Sequence, residues 1–570
     1  MGRYAVEIKN LRFAYKEQNE DALKGIDLSI EKNTFTVIMG PSGAGKTTLC
    51  FALNGLIPKF EKGNYRGEVY VNGTKTTDNE VGEMSKHIGL VFQDFESQLF
   101  STNVELEVAF APENFGVPRE EIKERIEESL RMVNLSGCEE RAPSTLSGGQ
   151  KQRLVIASVF SMKPEIICMD EPTTDLDPIG KDEVFSIAEK IREEKDITQI
   201  IVEHEMEEAL VADRILLMDQ GQIIKDGTPD EVLRDVDTSR SLGIMPLSVP
   251  DFFDRLGESY LPLTAEEGAR HFREQEYAID PERYETILAE ERRKSTAYGD
   301  VIIDCRGLYH RYPNGLTAVS DIDLSIRKGE FVAVVGQNGS GKTTLVRHFN
   351  GLLAPTGGDL YVNGLDAKEH NVFDLGQIVG YVFQNPDHQI FENTVYEEVA
   401  FSPRIRNCSE EEVDQRVKHA LKSVRLEGYE EEDPFSLTKG ERQRVAVASV
   451  LSARPQVMIF DEPTTGLDYK EQKSMMELIK ELNDTGHTII IVTHSMWVVA
   501  EYAHRTVVMK NGENFIEGST RQVFAQEEKL KDVSLKAPQI ISMSNRLGTT
   551  ALSVDEMLNV TTKKKIPQEV

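Results

Sequence analysis

Two stretches of this chain have the residues needed to hold a polyphosphate. Gly40-Pro41-Ser42-Gly43-Ala44-Gly45-Lys46-Thr47, followed by Thr48, and Gly336-Gln337-Asn338-Gly339-Ser340-Gly341-Lys342-Thr343, followed by Thr344, share the pattern G-x-x-x-x-G-K-T. Each comes after a β-branched run and opens a helical one, a context in which backbone N–H groups and a helix amino terminus surround phosphate oxygens. Lys46 and Lys342 would reach the terminal phosphates, and Thr47 and Thr343 would ligate Mg²⁺. Farther along, the apolar runs Ile166-Ile167-Cys168-Met169 and Val457-Met458-Ile459-Phe460 end in Asp170-Glu171 and Asp461-Glu462. Asp170 and Asp461 suit Mg²⁺, directly or through water, and Glu171 and Glu462 can polarise an attacking water. The chemistry expected is ATP binding and hydrolysis with Mg²⁺, at two sites.

The elements that must position these residues follow from the apolar pattern. Phe35–Met39 and Phe331–Val335 read as buried parallel strands entering the glycine-rich loops. Ile200-Ile201-Val202-Glu203-His204 and Ile489-Ile490-Ile491-Val492-Thr493-His494 are further strands ending at a histidine. Strands alternating with helices, with reactive residues at strand ends, predict an α/β fold. The paired motifs recur at a nearly constant offset of about 290 residues, which marks duplicated machinery.

The repeat extends past the catalytic residues. Pro250 to Gly257 and Thr264-x-x-Glu267 correspond to Pro538 to Gly548 and Ser553-x-x-Glu556, and both hydroxyl–glutamate pairs fit a capping box. A small folded element, a candidate contact between the halves, therefore follows each core. The division expected is a first ATPase domain over 1–235, its C-terminal element and connector over 236–300, a second domain over 301–530, and a second C-terminal element and tail over 531–570. The Glu- and Arg-rich segment from about Glu274 to Tyr298 reads as the true connector.

Composition excludes several classes. A formal net charge of −31, from 96 acidic and 65 basic residues, would repel a nucleic-acid backbone. The compact basic run Lys563-Lys564-Lys565 reads as a solvated terminus. Cys50, Cys138, Cys168, Cys305 and Cys408 are scattered without a C-x-x-C pair, against a zinc site or a disulfide framework. Neither a signal-peptide core nor a long uninterrupted apolar run is seen, so a cytosolic location is expected, with membrane association only through partners.

Leu146-Ser147-Gly148-Gly149-Gln150, followed by Gln152-Arg153, resembles the signature loop of ABC ATPases. The resemblance covers both halves and implies two tandem P-loop ABC ATPase domains, each with a helical signature subdomain. It also implies that the domains pair head to tail, each ATP lying between the phosphate loop of one and the signature loop of the other. Gln93 and Gln384 would then be the Q-loop glutamines that sense metal and water, and His204 and His494 would touch the γ-phosphate. Asp177 and Asp468 would communicate across the interface. Tyr15 and Tyr312 would stack on adenine, with core packing as the rival role. The second signature departs from the pattern as Leu437-Thr438-Lys439-Gly440-Glu441, where Thr438 keeps a hydroxyl and Gly440 the close approach. This loop would complete the site built on Lys46, so the two sites are expected to be unequal, the Lys342 site being the faster.

The segment Tyr381-Val382-Phe383-Gln384-Asn385-Pro386-Asp387-His388-Gln389-Ile390-Phe391 resembles the Q-loop region of energy-coupling factor (ECF) ATPases, a group that includes cobalt- and vitamin-uptake systems. The first half keeps Gln98-Leu99-Phe100 but carries Asp94-Phe95-Glu96 in place of Asn-Pro-Asp. The resemblance implies an integral-membrane T component whose coupling helices meet this region, a separate S component that selects the substrate, and a peripheral position on the cytoplasmic side of the cell membrane. Leu99, Phe100, Ile390 and Phe391 would line the receiving groove, with Glu96 or Asp387 as acceptors for basic partner residues. The alternatives are a fused ATPase of another importer class, such as sugar uptake, and a soluble ABC ATPase acting on ribosomes or DNA.

Overall fold

Strand burial explains the layering. Along Leu23–Glu31 and Thr317–Arg327 buried and exposed residues alternate, as on a sheet covered on one face, whereas Phe35–Met39, Ile166–Asp170, Thr198–Val202 and their later counterparts are buried throughout. The computed structural model describes residues 3–16, 20–174 and 176–563, without the side chains of residues 194 and 195. Lys564 and Lys565 of the basic run lie outside the described residues.

The chain forms two compact units, Met1–Pro250 and Asp251–Val570. In the first, a six-stranded sheet has the order Gln222–Gly227, Arg214–Asp219, Phe35–Met39, Thr198–Val202, Ile166–Asp170, Ile88–Val91. All neighbours are parallel except the first pair. A four-stranded antiparallel sheet, built on Tyr4–Tyr15, lies across a shared core from it; Leu49, Cys50, Ala52 and Leu53 of helix Lys46–Asn54 fill that core. The second unit repeats both sheets, with Phe331–Gly336 beside Thr488–Val492 and helix Lys342–Phe349 in the corresponding core. This is the mixed α/β fold expected from the alternating pattern.

A helical group is inserted in each half: Val104–Asn114, Arg119–Met132 and Gly148–Phe160, then Val395–Ile405, Glu410–Ser423 and Lys439–Leu451. The last helix of each is closed by a capping box, Ser147 with Gln150 and Thr438 with Glu441. Cys50, Cys168 and Cys305 are buried, and all five cysteines are free thiols.

The repeated C-terminal elements meet inside the second unit. Strand Tyr277–Ile279 pairs antiparallel with Thr561–Lys563, helix Ala265–Glu274 packs on Gln539–Arg546, and Arg255 pairs with Asp555. Thr264 and Ser553 cap their helices as expected, but the glutamate reaches one residue farther back than in a standard box: Leu263 N–H donates to Glu267 and Leu552 N–H to Glu556. The expected connector contains helix Pro281–Thr296, anchored through Tyr284 to Thr550 and through Glu291 to Arg521. Its charge pattern conceals an ordered strut.

Candidate nucleotide sites

Each phosphate loop joins the carboxyl end of a buried strand to a helix that begins at the lysine. The residue before that lysine, Gly45 or Gly341, is left-handed (φ 95° and 100°), and an added Cβ would stand 2.6 Å from Ala22 O or 2.1 Å from Ala318 O. Only glycine satisfies both constraints. The Lys46 ammonium donates to Gly40 O (2.9 Å) and Pro41 O (3.0 Å), and Lys342 donates to Gly336 O (2.8 Å) and Gln337 O (3.0 Å). Both lysines are thus held across the mouth of their own loop, where a phosphate would lie at the helix amino terminus. Tyr15 and Tyr312 bond through their hydroxyls to Thr48 (3.0 Å) and Thr344 (3.1 Å), fixing one edge of each half-buried ring beside the helix start.

The parallel register brings the carboxylates to the same end of the sheet. Glu171 and Glu462 adopt left-handed backbone conformations (φ 49° and 50°), each held by donating its N–H to the neighbouring strand, at Val202 O (3.1 Å) and Val492 O (2.9 Å). Such uncommon conformations gather where function over-determines the backbone. In the first half Glu171 Oε1 lies 2.6 Å from His204 Nε2, and Gln93 Nε2 donates to Oε2 at 2.7 Å. Burial works to raise the Glu171 carboxyl, but His204 and the Lys46 ammonium outweigh it and hold the group below its ordinary range. In the second half Glu462 Oε1 lies 3.1 Å from His494 Nε2, and Glu462 Oε2 accepts from the His494 N–H at 3.3 Å.

Asp170 and Asp461 are buried within reach of the loop threonines. Thr343 Oγ1 donates to Asp461 at 3.3 Å, and Thr47 beside Asp170 favours its ionised form against burial, which pushes that carboxyl up to about 6. The Oδ1 of Asp170 is buried without a hydrogen-bond partner. A hydroxyl beside such a carboxylate oxygen is a hard oxygen donor set, which fits Mg²⁺ once nucleotide phosphates complete the shell.

Residues 23–174 and 319–465 match the ABC transporter family, once in each half. A relative in Caldanaerobacter subterraneus subsp. tengcongensis, provisionally named an ABC transporter ATP-binding protein, is 60% identical over 558 residues, covering 97% of this chain and 98% of the relative. The chain belongs to the ABC transporter family. A similarly named protein of Methanosarcina acetivorans is 37% identical over 572 residues, covering 98% of this chain and 93% of that one. The solved cbiO1 of Clostridium perfringens, described as part of the ABC transporter complex cbiONQ, shares 36% identity over 42% of this chain and 97% of its own, with a TM-score of 0.39.

As an ABC ATPase the chain binds and hydrolyses ATP. Its irregular second signature is absorbed locally. Glu441 takes the capping role of Gln150, accepting from the Thr438 N–H at 2.9 Å and from Tyr429 OH at 3.2 Å. The Lys439 ammonium lies so close to Gly466 that a Cβ there would meet it at 2.2 Å. Gly148, Gly149 and Gly440 all lie in the first turn of their helices. Asp177 and Asp468 cap the helices that follow, accepting from Gly180 N–H and Glu471 N–H at 2.9 Å each.

Beyond each Q-loop glutamine the chain folds back through Gln98 or Gln389, whose amide oxygen accepts from Phe92 N–H (2.8 Å) or Phe383 N–H (3.2 Å). Glu107 and Glu398, which the sequence reading passed over, are buried and accept two amides each: Phe100 and Ser101, or Phe391 and Glu392. Their signal was a glutamate in the apolar face of a helix at the same repeat position. Above this base Phe100 meets Phe110 at 4.5 Å and Phe391 meets Phe401 at 4.6 Å, edge to face, with Phe100 and Phe391 61% and 57% exposed. Ile390, expected in the same groove, is instead in the core. Glu96 and Asp387, expected as acceptors for a partner, already pair at 2.8 Å with Lys151 and Arg442 of the signature helices.

Proposed function

We propose that this chain is the ATP-hydrolysing subunit of a membrane importer of the ECF type, serving uptake of a vitamin, cobalt or a similar micronutrient. The observation that carries the reading is the matched pair of exposed aromatic clusters, Phe100 with Phe110 and Phe391 with Phe401, each seated on a loop ordered by a buried glutamate. A rigid apolar knob at homologous positions in the two halves suits two helices of an integral-membrane T component, with substrate choice left to a separate S component. The chain then works at the cytoplasmic face of the cell membrane, held there by those partners.

ATP would draw the two halves together head to tail, each nucleotide touching Lys46 or Lys342 on one side and the Thr438 or Ser147 loop on the other. Thr47 with Asp170, and Thr343 with Asp461, would hold Mg²⁺, which when bound would supply neutralisation of phosphate charge. Gln93 and Gln384 would sense the metal and the attacking water. Glu171 and Glu462 polarise that water, His204 and His494 hold the γ-phosphate, and hydrolysis releases the clasp. The Lys–Glu and Arg–Asp pairs between Q-loop and signature helix would carry that motion to the aromatic knobs.

The test is membrane retention and uptake. Phe100→Glu and Phe391→Glu, each in the full chain expressed with its own membrane components, should lower co-purification with the T component and the uptake of labelled cobalt or vitamin while nucleotide binding persists. Undiminished co-purification in both variants would sink the docking assignment.

A further inference from the structure

The two metal-binding carboxylates stand in different surroundings. In the second half Tyr381, on strand Val379–Val382, donates its hydroxyl to Asp461 Oδ2 at 2.6 Å in a buried contact. The strand register identifies the equivalent residue in the first half. Tyr381 lies opposite Ile459, two residues before Asp461, and Leu90 lies opposite Cys168, two residues before Asp170. Leu90 has no hydroxyl to donate, and Asp170 keeps a buried oxygen without a partner. The difference extends one shell outward. Arg347, on the helix that opens at Lys342, interacts with the Tyr381 hydroxyl, while Phe51, the matching residue after Lys46, packs edge-on against Phe92 at 5.9 Å. A buried tyrosine–carboxylate hydrogen bond with a guanidinium in its surroundings therefore backs one site, and apolar residues, Leu90 and Phe51, stand at the matching positions of the other.

We propose that Tyr381 is a positioning residue of the second ATP site: it clamps the far oxygen of Asp461 and leaves the oxygen beside Thr343 aimed at the metal. A carboxylate with one oxygen tied and one free has a single productive orientation, and hydrogen bonds from outside the ligand shell commonly govern metal affinity. The second site then takes up Mg²⁺-nucleotide in a preset geometry, and the first must order Asp170 as the metal arrives. This rests on the Mg²⁺ assignment made above and is independent of which membrane partner the chain serves.

The experiment uses the full chain carrying Lys46→Ala, so that nucleotide binds at the second site, with Mn²⁺ as the probe and a non-hydrolysable ATP analogue present. Free Mn²⁺ is read by electron paramagnetic resonance, and nucleotide affinity without metal is measured in parallel. Tyr381→Phe removes only the hydroxyl, and Tyr381→Met checks that the effect does not depend on the ring. Both should weaken Mn²⁺ binding by about tenfold or more, leaving metal-free nucleotide affinity unchanged. Unchanged Mn²⁺ affinity, or a fall in metal-free nucleotide affinity that matches the fall for Mn²⁺, would overturn the role. If the Lys46→Ala parent itself bound no Mn²⁺, the metal assignment at Asp461 would go, and the Tyr381 inference with it, while the importer reading would stand.

Discussion

His204 Nε2 lies 2.6 Å from Glu171 Oε1. The matching distance between His494 Nε2 and Glu462 Oε1 is 3.1 Å. The first glutamate is held on its other oxygen by the Gln93 side chain at 2.7 Å, where Glu462 Oε2 accepts the His494 backbone N–H at 3.3 Å, so both contacts to Glu171 are the shorter ones. On the proposed head-to-tail arrangement the altered Thr438 loop would serve the same site, and both features predict a slower Lys46 site. Glu171→Gln should therefore retain more single-turnover hydrolysis than Glu462→Gln, each mutation slowing its own site by about a hundredfold or more. Quench-flow measurement of the first turnover decides it, and equal residual rates would remove the asymmetry.

The Glu96–Lys151 and Asp387–Arg442 pairs occupy equivalent places in the two halves, and each joins the Q-loop to the signature helix. The Glu96 carboxylate is more than half exposed, so the pair adds at most about 1 kcal/mol to stability. Its value would lie in coupling. Glu96→Lys alone should reduce transport-linked ATPase activity, and the double reversal Glu96→Lys with Lys151→Glu should recover most of it. If the acid instead served a basic residue of the membrane partner, the double reversal would stay as impaired as the single one.

Arg521 gathers three segments of the second unit. It pairs with Glu291 of the connector helix at 3.0 Å and with Glu556 of the C-terminal element at 2.9 Å, and it donates to Thr550 O, with its side chain only 7% exposed. Removing one member of a buried ionic group strands the rest. Arg521→Ala is expected to cost about 3–5 kcal/mol in the second unit's unfolding free energy, whereas Arg255→Ala at the exposed Arg255–Asp555 pair should cost under about 1 kcal/mol. Denaturant unfolding of the two variants compares them directly.

Glu203, just before His204, is buried with Thr173 donating to it at 2.9 Å, and burial pushes its carboxyl up to about 7. A carboxyl raised above its ordinary 4.5 keeps its proton in the folded chain where the unfolded chain has lost it. Folding then takes up a proton, so the contribution of this group and its buried neighbour Glu208, whose carboxyl burial also raises, declines as pH rises from about 4.5. Glu203→Gln should flatten that slope and raise the first unit's thermal midpoint at about pH 8 relative to the parent. A parallel pH profile in parent and variant would refute it.

The motifs expected to carry catalysis were legible in the chain because their members are contiguous or stand at strand ends: glycines at strained turns, lysine at a helix start, and paired acids after an apolar run. The duplication made each motif a control for the other, and it exposed both the altered second signature and the recurring C-terminal element. Where short-range backbone geometry sets a loop or a strand end, residue type and spacing were enough to locate it.

Contacts between residues far apart in the chain needed the fold. The sequence pattern left Glu96 and Asp387 as plausible acceptors for a partner, and only tertiary packing places Lys151 and Arg442 against them. Ile390 and Phe391 are adjacent and equally apolar, yet one is buried and the other exposed, because Glu398 fixes which way that loop turns. Leu90 and Tyr381 look like interchangeable strand residues until the parallel register sets the Tyr381 hydroxyl against Asp461. Hydrogen bonds are directional and short, so a partner many residues distant is chosen by register and packing, which one-dimensional spacing does not encode.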